Sequence, residues 1–550
     1  MKKCILIFAC CALFFPNSST AQGSKATSKT PFVWEAATVY FLMTDRFNNG
    51  IRSNDLNYGR TTQAAPLRGF QGGDIRGIIN KIDEGYFDKL GINAIWFTPV
   101  VEQIQGGVDE GTGLSYGFHG YWTRDWTKLD ANFGTEKDLA ELVEKAHARG
   151  IRIIMDAVIN HTGPVTELDP VWPTNWVRTE PQCNFETYEG TTACTLVKNL
   201  PDVKTESNAA VQIPQRLADK WKSEGRYETE MAELDAFFSA TGYPRAPRFY
   251  IIKWLTDYIR DFGIDAYRAD TVKHTEESVW GTFKAQCNIA FEEWKRKNPT
   301  KVLDSNGFYT IAEVYNYNIS AGLDFNFGDR KVNYYDNGFN SMINFEFKWD
   351  AQKDYEFIFS KYSEKLNNEL EGYSVLNYLS SHDDGQPFDP TRLKSKETAT
   401  KLLLSPGIAQ VYYGDESARS LVVEGAQGDA TLRSFMNWEA ISDDAATKQT
   451  LAHWQKLGQF RKKHAAVGAG IHKQISKSPY IFSRGYASDA HQDRVVIALD
   501  MPIGPKEIKV ASIFKHGTKV RDAYSGKEAV VRNDKVYIDT EFDIVLLEIK

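Results

Sequence analysis

The feature that most constrains the fold is a regular alternation of short apolar runs with helical stretches. Each run is typical of a buried strand, and Asp138 to His147 carries apolar residues at helical spacing between two of them. Such alternation predicts a parallel sheet with crossover helices, and eight runs predict a closed (β/α)8 barrel. The runs are TVYFLM from Thr38, GINAIWFTP from Gly91, RIIMDAVINH from Arg152, GIDAYRADTVKH from Gly263, YTIAEV from Tyr309, SMINFEF from Ser341, VLNYLSS from Val375 and IAQVYYG from Ile408.

Two regions depart from this alternation. Residues 162–247 are rich in Pro, Asn, Thr and Trp and are too long for an ordinary loop, so we predict a small inserted domain after the third strand. From about Lys473 the pattern changes to short alternating runs between Gly, Asp and Asn turns, which predicts an all-β sandwich at 466–550. The catalytic barrel is then expected in two parts, residues 33–161 and 248–465.

The N-terminus has the features of an export signal. Lys2 and Lys3 precede an apolar run that ends in small residues, which predicts a secretory signal peptide at 1–21 and a polar linker at 22–32. Lipidation at Cys10 is the alternative, but the apolar run before it is short. We therefore expect a periplasmic or secreted protein without a membrane span.

Composition excludes one class of partner. The formal net charge of −7 disfavours binding to a polyanion, so nucleic acid is not expected as a partner. Aromatic residues make up 13% of the chain, and many lie in predicted loops such as 116–126. They would either stack on sugars or anchor loops to a large core.

Polar residues concentrate at the end of the fourth predicted strand. Arg268 and Asp270 are two residues apart, so the period of a strand points both side chains to one face. Lys273 and His274 follow at once, where the strand gives way to a loop. Strand ends carry the chemistry of barrel enzymes, although a structural Arg–Asp pair would produce the same local pattern.

Three acids end three different strands: Asp270, Glu313 and Asp383. His161 and His382 end two more. Retaining glycoside hydrolysis needs a carboxylate nucleophile and a carboxyl group that acts first as acid and then as base. A third acid can stabilise the cationic sugar. The combination at one barrel mouth therefore predicts a glycosidase site more readily than a set of solvated loop charges.

Four segments carry a family resemblance. DAVINH from Asp156, GIDAYRADTVKH, IAEVY and SSHDD resemble, in order, the signature segments of the α-amylase family of glycoside hydrolases. LPDVKTES from Leu200 is similar to a fifth segment of that family. Stretches such as ATVYFLMTDRF and GYWTRDWTKLDANFG most resemble the bacterial periplasmic members. The resemblance runs from about Val33 to the end of the chain.

The resemblance implies catalytic roles for the three acids. Asp270 would be the nucleophile, Glu313 the acid/base and Asp383 the transition-state stabiliser. Arg268 would orient Asp270 and keep it ionised, because an adjacent guanidinium favours the charged carboxylate. Asp156 would be the buried partner that positions Arg268.

The resemblance also implies residues that bind substrate. His161 and His382 would hydrogen-bond hydroxyls of the sugar at the cleavage point, and Tyr121 would stack on its face. Lys273 and His274 would meet the glucose on the leaving side. Because Val-Tyr follows Glu313 instead of a stretch with Trp, the leaving-group subsites are expected to differ from those of other members.

The activity implied is hydrolysis of α-1,4-glucosidic bonds in starch, glycogen or maltooligosaccharides, by a monomer. The alternatives are a cyclodextrin- or pullulan-acting or transglycosylating member of the family and, in another class, a non-catalytic glycan-binding relative. The four signature segments do not separate the enzymatic alternatives. A non-catalytic relative would be expected to lack at least one acid, whereas all three are present.

Oxygen-bearing residues at the junction of barrel and insert predict a calcium ion. Asn160 ends the third strand, Asp202 lies in LPDVKTES, and the backbone carbonyl of His274 would complete the site. Such hard oxygen ligands suit Ca²⁺. The alternative is that Asn160 only caps a turn.

A second calcium site is predicted near the first barrel loop. Its candidate ligands are Asn49, Asn54, Asp55, the carbonyl of Gly72, and Asp74. The short spacings suit a flexible coordination shell, and the pattern is similar to a structural site in cyclodextrin-forming members. An ordinary cluster of turn residues is the alternative, because Asn, Gly and Asp favour turns for other reasons.

Three cysteines remain after the signal peptide. Cys183 and Cys194 bracket a short polar loop, which predicts a disulfide in an oxidising compartment. Cys287 falls in an apolar helical stripe and is expected to be buried and free.

Overall fold

The computed structural model describes residues 31–488 and 491–550. The predicted signal peptide and most of the linker therefore lie outside the described residues. Among the residues described, no helix has the length and apolar character needed to cross a membrane.

Eight parallel strands close into a barrel, as the alternation predicted. Each strand pairs with its sequential neighbour, and the last pairs with the first, so that Thr38 lies opposite Ala409. Every residue of these strands is buried, because the barrel core lies on one side and helices on the other. The barrel strands are Thr38–Leu42, Ala94–Phe97, Arg152–Ala157, Ala266–Ala269, Tyr309–Ala312, Ser341–Asn344, Ser374–Asn377 and Ile408–Tyr412.

Helices surround the barrel and begin and end where local signals predict. Thr135 caps one helix in a reciprocal capping box with Asp138. Gly263 ends another with φ 74°, and a Cβ there would lie 2.0 Å from the Trp294 ring, so only glycine fits. The helices outside the insert are Thr44–Phe47, Ile75–Asp83, Tyr86–Lys89, Glu136–Ala148, Pro247–Phe262, Glu277–Lys297, Phe347–Asp350, Tyr355–Leu366, Ser395–Leu403, Trp438–Asp443, Ala445–Lys463 and Ala465–Ala469.

The stretch predicted as an insert forms small elements of its own. Its tryptophans pack it on the barrel: the Trp176 ring stacks with that of Trp254 at 6.2 Å, and Trp221 meets the same ring edge-on at 6.3 Å. Its elements are Val177–Arg178, Glu189–Thr192, Asp202–Val203, Gln215–Ser223 and Tyr227–Thr241. Short strand pairs on neighbouring loops are Val101–Gln103 with Thr123–Leu129, Val108–Asp109 with Leu114–Ser115, and Asp324–Asn326 with Lys331–Asn333.

The C-terminal part is all-β, as predicted. A six-stranded and a two-stranded antiparallel sheet share one apolar core, in which Ile508 and Val536 of the small sheet meet Val496 and Leu547 of the large one. This is a sandwich. The large sheet contains Ile471–Ser476, Tyr480–Ser488, His491–Leu499, Lys519–Asp522, Glu528–Val530 and Val545–Ile549, and the small sheet Gly504–Lys509 and Lys535–Thr540.

A buried ionic contact joins this sandwich to the barrel. His464 places Nδ1 2.8 Å from Asp493 and Nε2 2.8 Å from Glu548. Although burial opposes each change, these contacts raise the pKa of His464 and lower those of Asp493 and Glu548. His464 is therefore expected to be a doubly protonated cation held between two carboxylates.

Candidate active site

The carboxyl end of the barrel gathers three carboxylates around one guanidinium. Arg268 is 1% exposed and lies beside Asp156 in the sheet register. Its Nη1 donates to both oxygens of Asp156, at 2.8 and 3.0 Å, and to Oδ1 of Asp270 at 2.8 Å. Its Nη2 lies 2.7 Å from Oε1 of Glu313. One buried cation thus orients carboxylates supplied by three consecutive barrel strands.

This arrangement drives the pKa values of two acids apart. Burial opposes ionisation of Asp270, but Arg268 and His161, 3.4 Å away, hold its pKa below the ordinary value. Burial raises the pKa of Glu313 well above its ordinary value, and the charges of Asp270 and Asp383 raise it further against the pull of Arg268. The opposite shifts favour a carboxylate at Asp270 and a protonated acid at Glu313, as a nucleophile and a proton donor require.

The backbone after Asp270 fixes the position of Glu313. Thr271 has φ 47°, in the left-handed region that a β-branched residue rarely adopts. Its N–H donates to Oε2 of Glu313 at 2.9 Å. The N–H of Val272 donates to the Glu313 carbonyl at 2.9 Å. The unusual conformation of Thr271 therefore serves to hold the proposed acid beside the proposed nucleophile.

The predicted sugar-binding residues line the same cleft. The Tyr121 hydroxyl donates to Asp156 at 3.0 Å, and its ring stacks with that of His382 at 5.4 Å. The Asp383 side chain is 40% exposed, so it is open to a ligand. Desolvation raises the pKa of Asp383 against the pull of Arg268. The structure thus brings together Tyr121, His161, Arg268, Asp270, Glu313, His382 and Asp383.

Lys273 and His274 lie at one side of this cleft, beside two exposed aromatic rings. Lys273 Nζ donates to the Tyr315 carbonyl at 3.3 Å, and His274 Nδ1 contacts the Thr191 carbonyl at 3.0 Å. The Phe185 ring meets His274 edge-on at 5.8 Å. Phe185 and Tyr315 are 51% and 53% exposed, so both offer aromatic surface to a ligand. No sequence pattern indicated Phe185, because its position depends on the fold of its loop.

A disulfide closes the loop that carries Phe185. Cys183 and Cys194 are bonded, which confirms their predicted pairing. Cys287 is buried and free, also as predicted. The loop is held further by Tyr188, whose hydroxyl donates to Glu277.

The first predicted calcium cluster contains an unexpected cation. The Val203 N–H donates to the Asn160 carbonyl at 2.7 Å, which brings Asn160 beside Asp202. Oδ1 of Asp202 is buried without a hydrogen-bond partner, and burial raises the pKa of this carboxyl group to about 9. Arg178, which we did not anticipate, places Nε 2.9 Å from Oδ2 of Asp202. His274 adjoins the cluster because Thr275 donates to Oδ1 of Asn160 at 3.3 Å.

The second predicted calcium cluster is also assembled. Asn49 Nδ2 donates to Asp55 at 2.9 Å, and Asn54 Nδ2 to Asp74 at 3.2 Å. A Cβ on Gly72 would lie 2.3 Å from Asn49 Nδ2, so this position requires glycine. The side-chain oxygens of Asn49 and Asn54 are buried without a partner.

Asp74 has a second role that its sequence position did not indicate. It caps the helix Ile75–Asp83 by accepting from the Gly77 N–H at 2.6 Å, and it also accepts from the Gly50 and Ile51 N–H groups at 3.0 and 2.8 Å. The turn-cluster alternative therefore fits Asp74, whereas the free asparagine oxygens fit a cation. In the described part of the chain, no group of three or more His, Cys, Asp or Glu side chains is placed to hold a metal.

Loop residues after the eighth strand also reach the cleft, and the sequence interpretation missed them. Arg433 donates from Nε to the His382 carbonyl at 2.8 Å and pairs with Asp429 at 2.5 Å. Arg68 reaches the same Asp429 at 3.2 Å. The Arg68–Asp429 contact joins loops more than 350 residues apart in sequence, and no local motif predicts it.

The chain is similar in sequence to known proteins. The family profile "Alpha amylase, catalytic domain" matches residues 41–232. A periplasmic α-amylase of Escherichia coli is 35% identical over 532 residues, which cover 85% of this chain and 73% of that protein. A cyclomaltodextrin glucanotransferase of Geobacillus stearothermophilus is 28% identical over 82% of this chain and 58% of its own length.

Solved structures are similar in fold. A crystal structure of an Anoxybacillus α-amylase has a TM-score of 0.64 at 24% identity, covering 94% of this chain and 99% of that one. The barrel with its ring of strand-end acids defines a barrel glycosidase. The chain belongs to the α-amylase family of glycoside hydrolases.

Proposed function

We propose that the protein is a retaining α-amylase that cleaves α-1,4-glucosidic bonds of starch, glycogen or maltooligosaccharides. The observation that carries this proposal is the single guanidinium of Arg268 shared by Asp270 and Glu313, with opposite pKa shifts on the two acids. The name of the E. coli relative, a periplasmic α-amylase, supports the substrate class.

The reaction proceeds in two displacement steps. In the first, the Asp270 carboxylate attacks the anomeric carbon while the Glu313 carboxyl group gives its proton to the glycosidic oxygen. The C–O bond breaks, the shortened glucan leaves with a free hydroxyl, and a glycosyl ester forms on Asp270. In the second step, the Glu313 carboxylate removes a proton from water, the water oxygen attacks the anomeric carbon, and Asp270 is released. Asp383 stabilises the positive charge that develops on the sugar.

The remaining cleft residues position the glucan. His161 and His382 are assigned hydrogen bonds to hydroxyls of the sugar at the cleavage point, and the Tyr121 ring stacks beneath it. Lys273 and His274 contact the leaving side. Burial lowers the pKa of His274 to about 4, so this imidazole is neutral in the working range of pH.

Proton NMR during cleavage of a maltooligosaccharide tests the mechanism. Retention requires the newly formed reducing end to appear first as the α-anomer. A β-anomer would refute the mechanism, as would a gap between the Asp270 and Glu313 carboxyl groups nearer the ~6.5–9.5 Å of inverting enzymes than the ~5–5.5 Å of retaining ones.

Transglycosylation is the second candidate. The exposed rings of Phe185 and Tyr315 beside Lys273 and His274 could hold an acceptor sugar in place of water. The similarity to a cyclomaltodextrin glucanotransferase supports it. Product analysis with starch, pullulan and cyclodextrin separates the possibilities, because cyclic or elongated products require transfer, whereas linear short products indicate hydrolysis.

We propose Ca²⁺ as a structural cofactor at the first cluster, held by Asn160, Asp202 and the His274 carbonyl. The unpartnered Oδ1 of Asp202 fits a cation, although Arg178 already supplies one positive charge beside Oδ2. Bound calcium would hold the insert against the barrel. A chelator should then lower both melting temperature and activity, and should do so in Arg178→Gln as well. If the chelator changed neither quantity in the wild type, Arg178 alone would balance the charge of Asp202.

A second calcium ion is proposed at Asn49, Asn54, Asp55, the Gly72 carbonyl and Asp74. The free oxygens of the two asparagines support it. The double variant Asn49→Ala with Asp74→Ala should lose one calcium ion per chain by metal analysis while activity persists. If the number of bound calcium ions per chain did not change, the loop would be a turn without a metal site.

We also propose a cellular location, an oligomeric state and domain boundaries for the protein. The N-terminal sequence pattern and the periplasmic relative support a periplasmic or secreted location, and we propose that the protein is a monomer. We propose the catalytic barrel as residues 33–161 and 248–465, the inserted domain as 162–247 and the β domain as 466–550. Limited proteolysis and light scattering of the mature protein test these boundaries and the monomeric state.

A further inference from the structure

The face of the barrel opposite the active site contains a basic cavity. It measures about 510 Å³ and opens beside the N-terminal ends of the second and third barrel strands. Its wall includes one carboxylate, that of Asp304, and four basic side chains, those of Arg149, Arg152, Arg461 and Lys462. The wall therefore carries an excess of positive charge.

Arg461 is the most deeply buried of these cations. Arg461 is 1% exposed, and burial lowers the pKa of its guanidinium to about 9. Nη1 donates to the carbonyls of Leu403 and Ser405 at 3.1 and 2.7 Å, and Nη2 donates to that of Gly407. Its Nε is buried without a partner. A buried charge without a counter-charge is unfavourable, and an anion in the cavity would supply that charge.

The other basic side chains divide into compensated and uncompensated groups. Arg149 pairs with Asp88 at 2.6 Å, and Arg152 pairs with Asp304. Lys462 donates to the Ile92 carbonyl at 3.1 Å, and in the described ranges it has no carboxylate within ion-pair distance. Arg461 and Lys462, adjacent in sequence, thus both lack a counter-charge.

A further guanidinium lies close behind this wall. Arg484 is also 1% exposed, and its Nε and Nη2 have no hydrogen-bond partner. Its Nη1 donates to the Val467 carbonyl, and a Cβ on Gly468 would lie 2.6 Å from Nη2 of Arg461. Both guanidiniums therefore border the same short segment, and the charge of Arg461 helps to lower the pKa of Arg484.

We propose that this cavity binds a small inorganic anion of the class of chloride or phosphate, with Arg461 and Lys462 as its main partners. The anion lies on the cavity side of Arg461 and supplies the missing negative charge. A volume of about 510 Å³ leaves room for several water molecules around it, at ~30 Å³ each. The site is independent of glucan cleavage, which takes place at the other end of the barrel.

The experiment is thermal unfolding of the full-length mature enzyme at fixed ionic strength. Sodium chloride or sodium phosphate replaces sodium gluconate stepwise, so that anion identity changes while screening stays constant. An anion that binds only the folded protein raises the melting temperature in a saturable way. Chloride and phosphate arms identify which anion is preferred, and isothermal titration calorimetry should give one site per chain.

A pair of neighbouring substitutions locates the site. Lys462→Gln removes a charge from the cavity wall and leaves the carbonyl contacts of Arg461 intact, whereas Lys463→Gln removes the same charge from a residue outside the wall. We expect the anion Kd to rise at least about ten-fold in Lys462→Gln, as loss of one charge-assisted contact implies, and to stay unchanged in Lys463→Gln. Equal, unsaturable effects of all three salts would overturn the proposal, and so would saturable binding that survives Lys462→Gln.

Discussion

The two ends of the barrel bury an arginine in different ways. Arg268 at the carboxyl end contacts Asp156, Asp270 and Glu313, whereas Arg461 at the amino end contacts only backbone carbonyls in the described structure. The first arrangement uses a cation to set the charges of the proposed catalytic groups. The second uses a cation to tie a loop and leaves its charge uncompensated. Burial of a guanidinium thus serves reactivity at one end and anion binding at the other, depending on which partners surround it.

The largest effect should come from the acids at the carboxyl end. Glu313→Gln removes the proton donor without changing shape, and loss of a general acid–base group lowers kcat by about 10²–10⁴-fold. Asp270→Asn should be at least as damaging, because no glycosyl ester can form. Steady-state kinetics with a maltooligosaccharide measures both.

A neighbouring carboxylate provides the control. Glu346 follows the sixth barrel strand and pairs with Lys361 at 2.7 Å without contacting Arg268. Glu346→Gln should keep nearly wild-type kcat. Comparable losses in Glu346→Gln and Glu313→Gln would indicate a general structural effect and contradict the assigned roles.

Replacing each arginine tests the comparison directly. Arg268→Gln leaves buried carboxylates without their cation, which typically destabilises by about 3–5 kcal/mol. Arg461→Gln removes hydrogen bonds to carbonyls, at about 1–3 kcal/mol for an unsatisfied group, but it also removes an uncompensated charge. Urea unfolding should therefore rank Arg268→Gln as the less stable variant. The opposite ranking would mean that Arg461 is better compensated than its contacts indicate.

Removal of the Cys183–Cys194 disulfide should have an intermediate effect at the carboxyl end. Closing a loop with a sequence separation of 11 stabilises by roughly 2–3 kcal/mol through the unfolded state. The double variant Cys183→Ser with Cys194→Ser should lose this amount in denaturant unfolding, and a reductant should then have no further effect. Three free thiols in the denatured mature wild type would contradict the pairing.

The smallest effect concerns the contact between barrel and sandwich, and it depends on pH. Because the folded pKa of His464 is raised, its contribution is complete below the unfolded value of about 6.5 and is lost as pH rises through the folded pKa. Asp493 and Glu548 have lowered values, so their share is lost as pH falls through those pKa values.

The difference in unfolding free energy between wild type and His464→Gln should therefore be greatest between about pH 4.5 and 6.5. We expect about 1.5 kcal/mol there, the lower value for hydrogen bonds to a charged group. Denaturant unfolding across pH measures this difference. A difference that is flat between pH 5 and 9 would show that His464 does not act as a cation.

The sequence predicted what depends on local pattern. All eight barrel strands were predicted, because each is a compact apolar run, and the carboxyl ends of parallel strands placed Arg268, Asp270 and Glu313 at one end of the barrel. The family resemblance supplied the roles that pattern alone leaves open. The pairing of Cys183 and Cys194 could be predicted from the short loop between them and from the export signal alone.

Features that depend on distant pairing were not predicted. Arg461 stands in the basic run RKK at the end of a helix, where cations normally complement the helix dipole and face solvent. Its burial follows from the position of a loop more than 50 residues earlier. Likewise, nothing near Arg178 indicates that it meets Asp202, because that contact requires the insert to fold back on the barrel.

Thr271 has a consequence for the evolution of this enzyme. A threonine in a left-handed conformation stores about 1–3 kcal/mol of strain. The strain lies between the two proposed catalytic acids, where the Thr271 N–H holds Glu313. A library selected only for thermal resistance would favour glycine at this position, since glycine adopts the same conformation freely. Such a selection would enrich more stable variants in which the position of Glu313 is less well fixed. At residue 271, a gain in stability would therefore be accompanied by a loss in turnover.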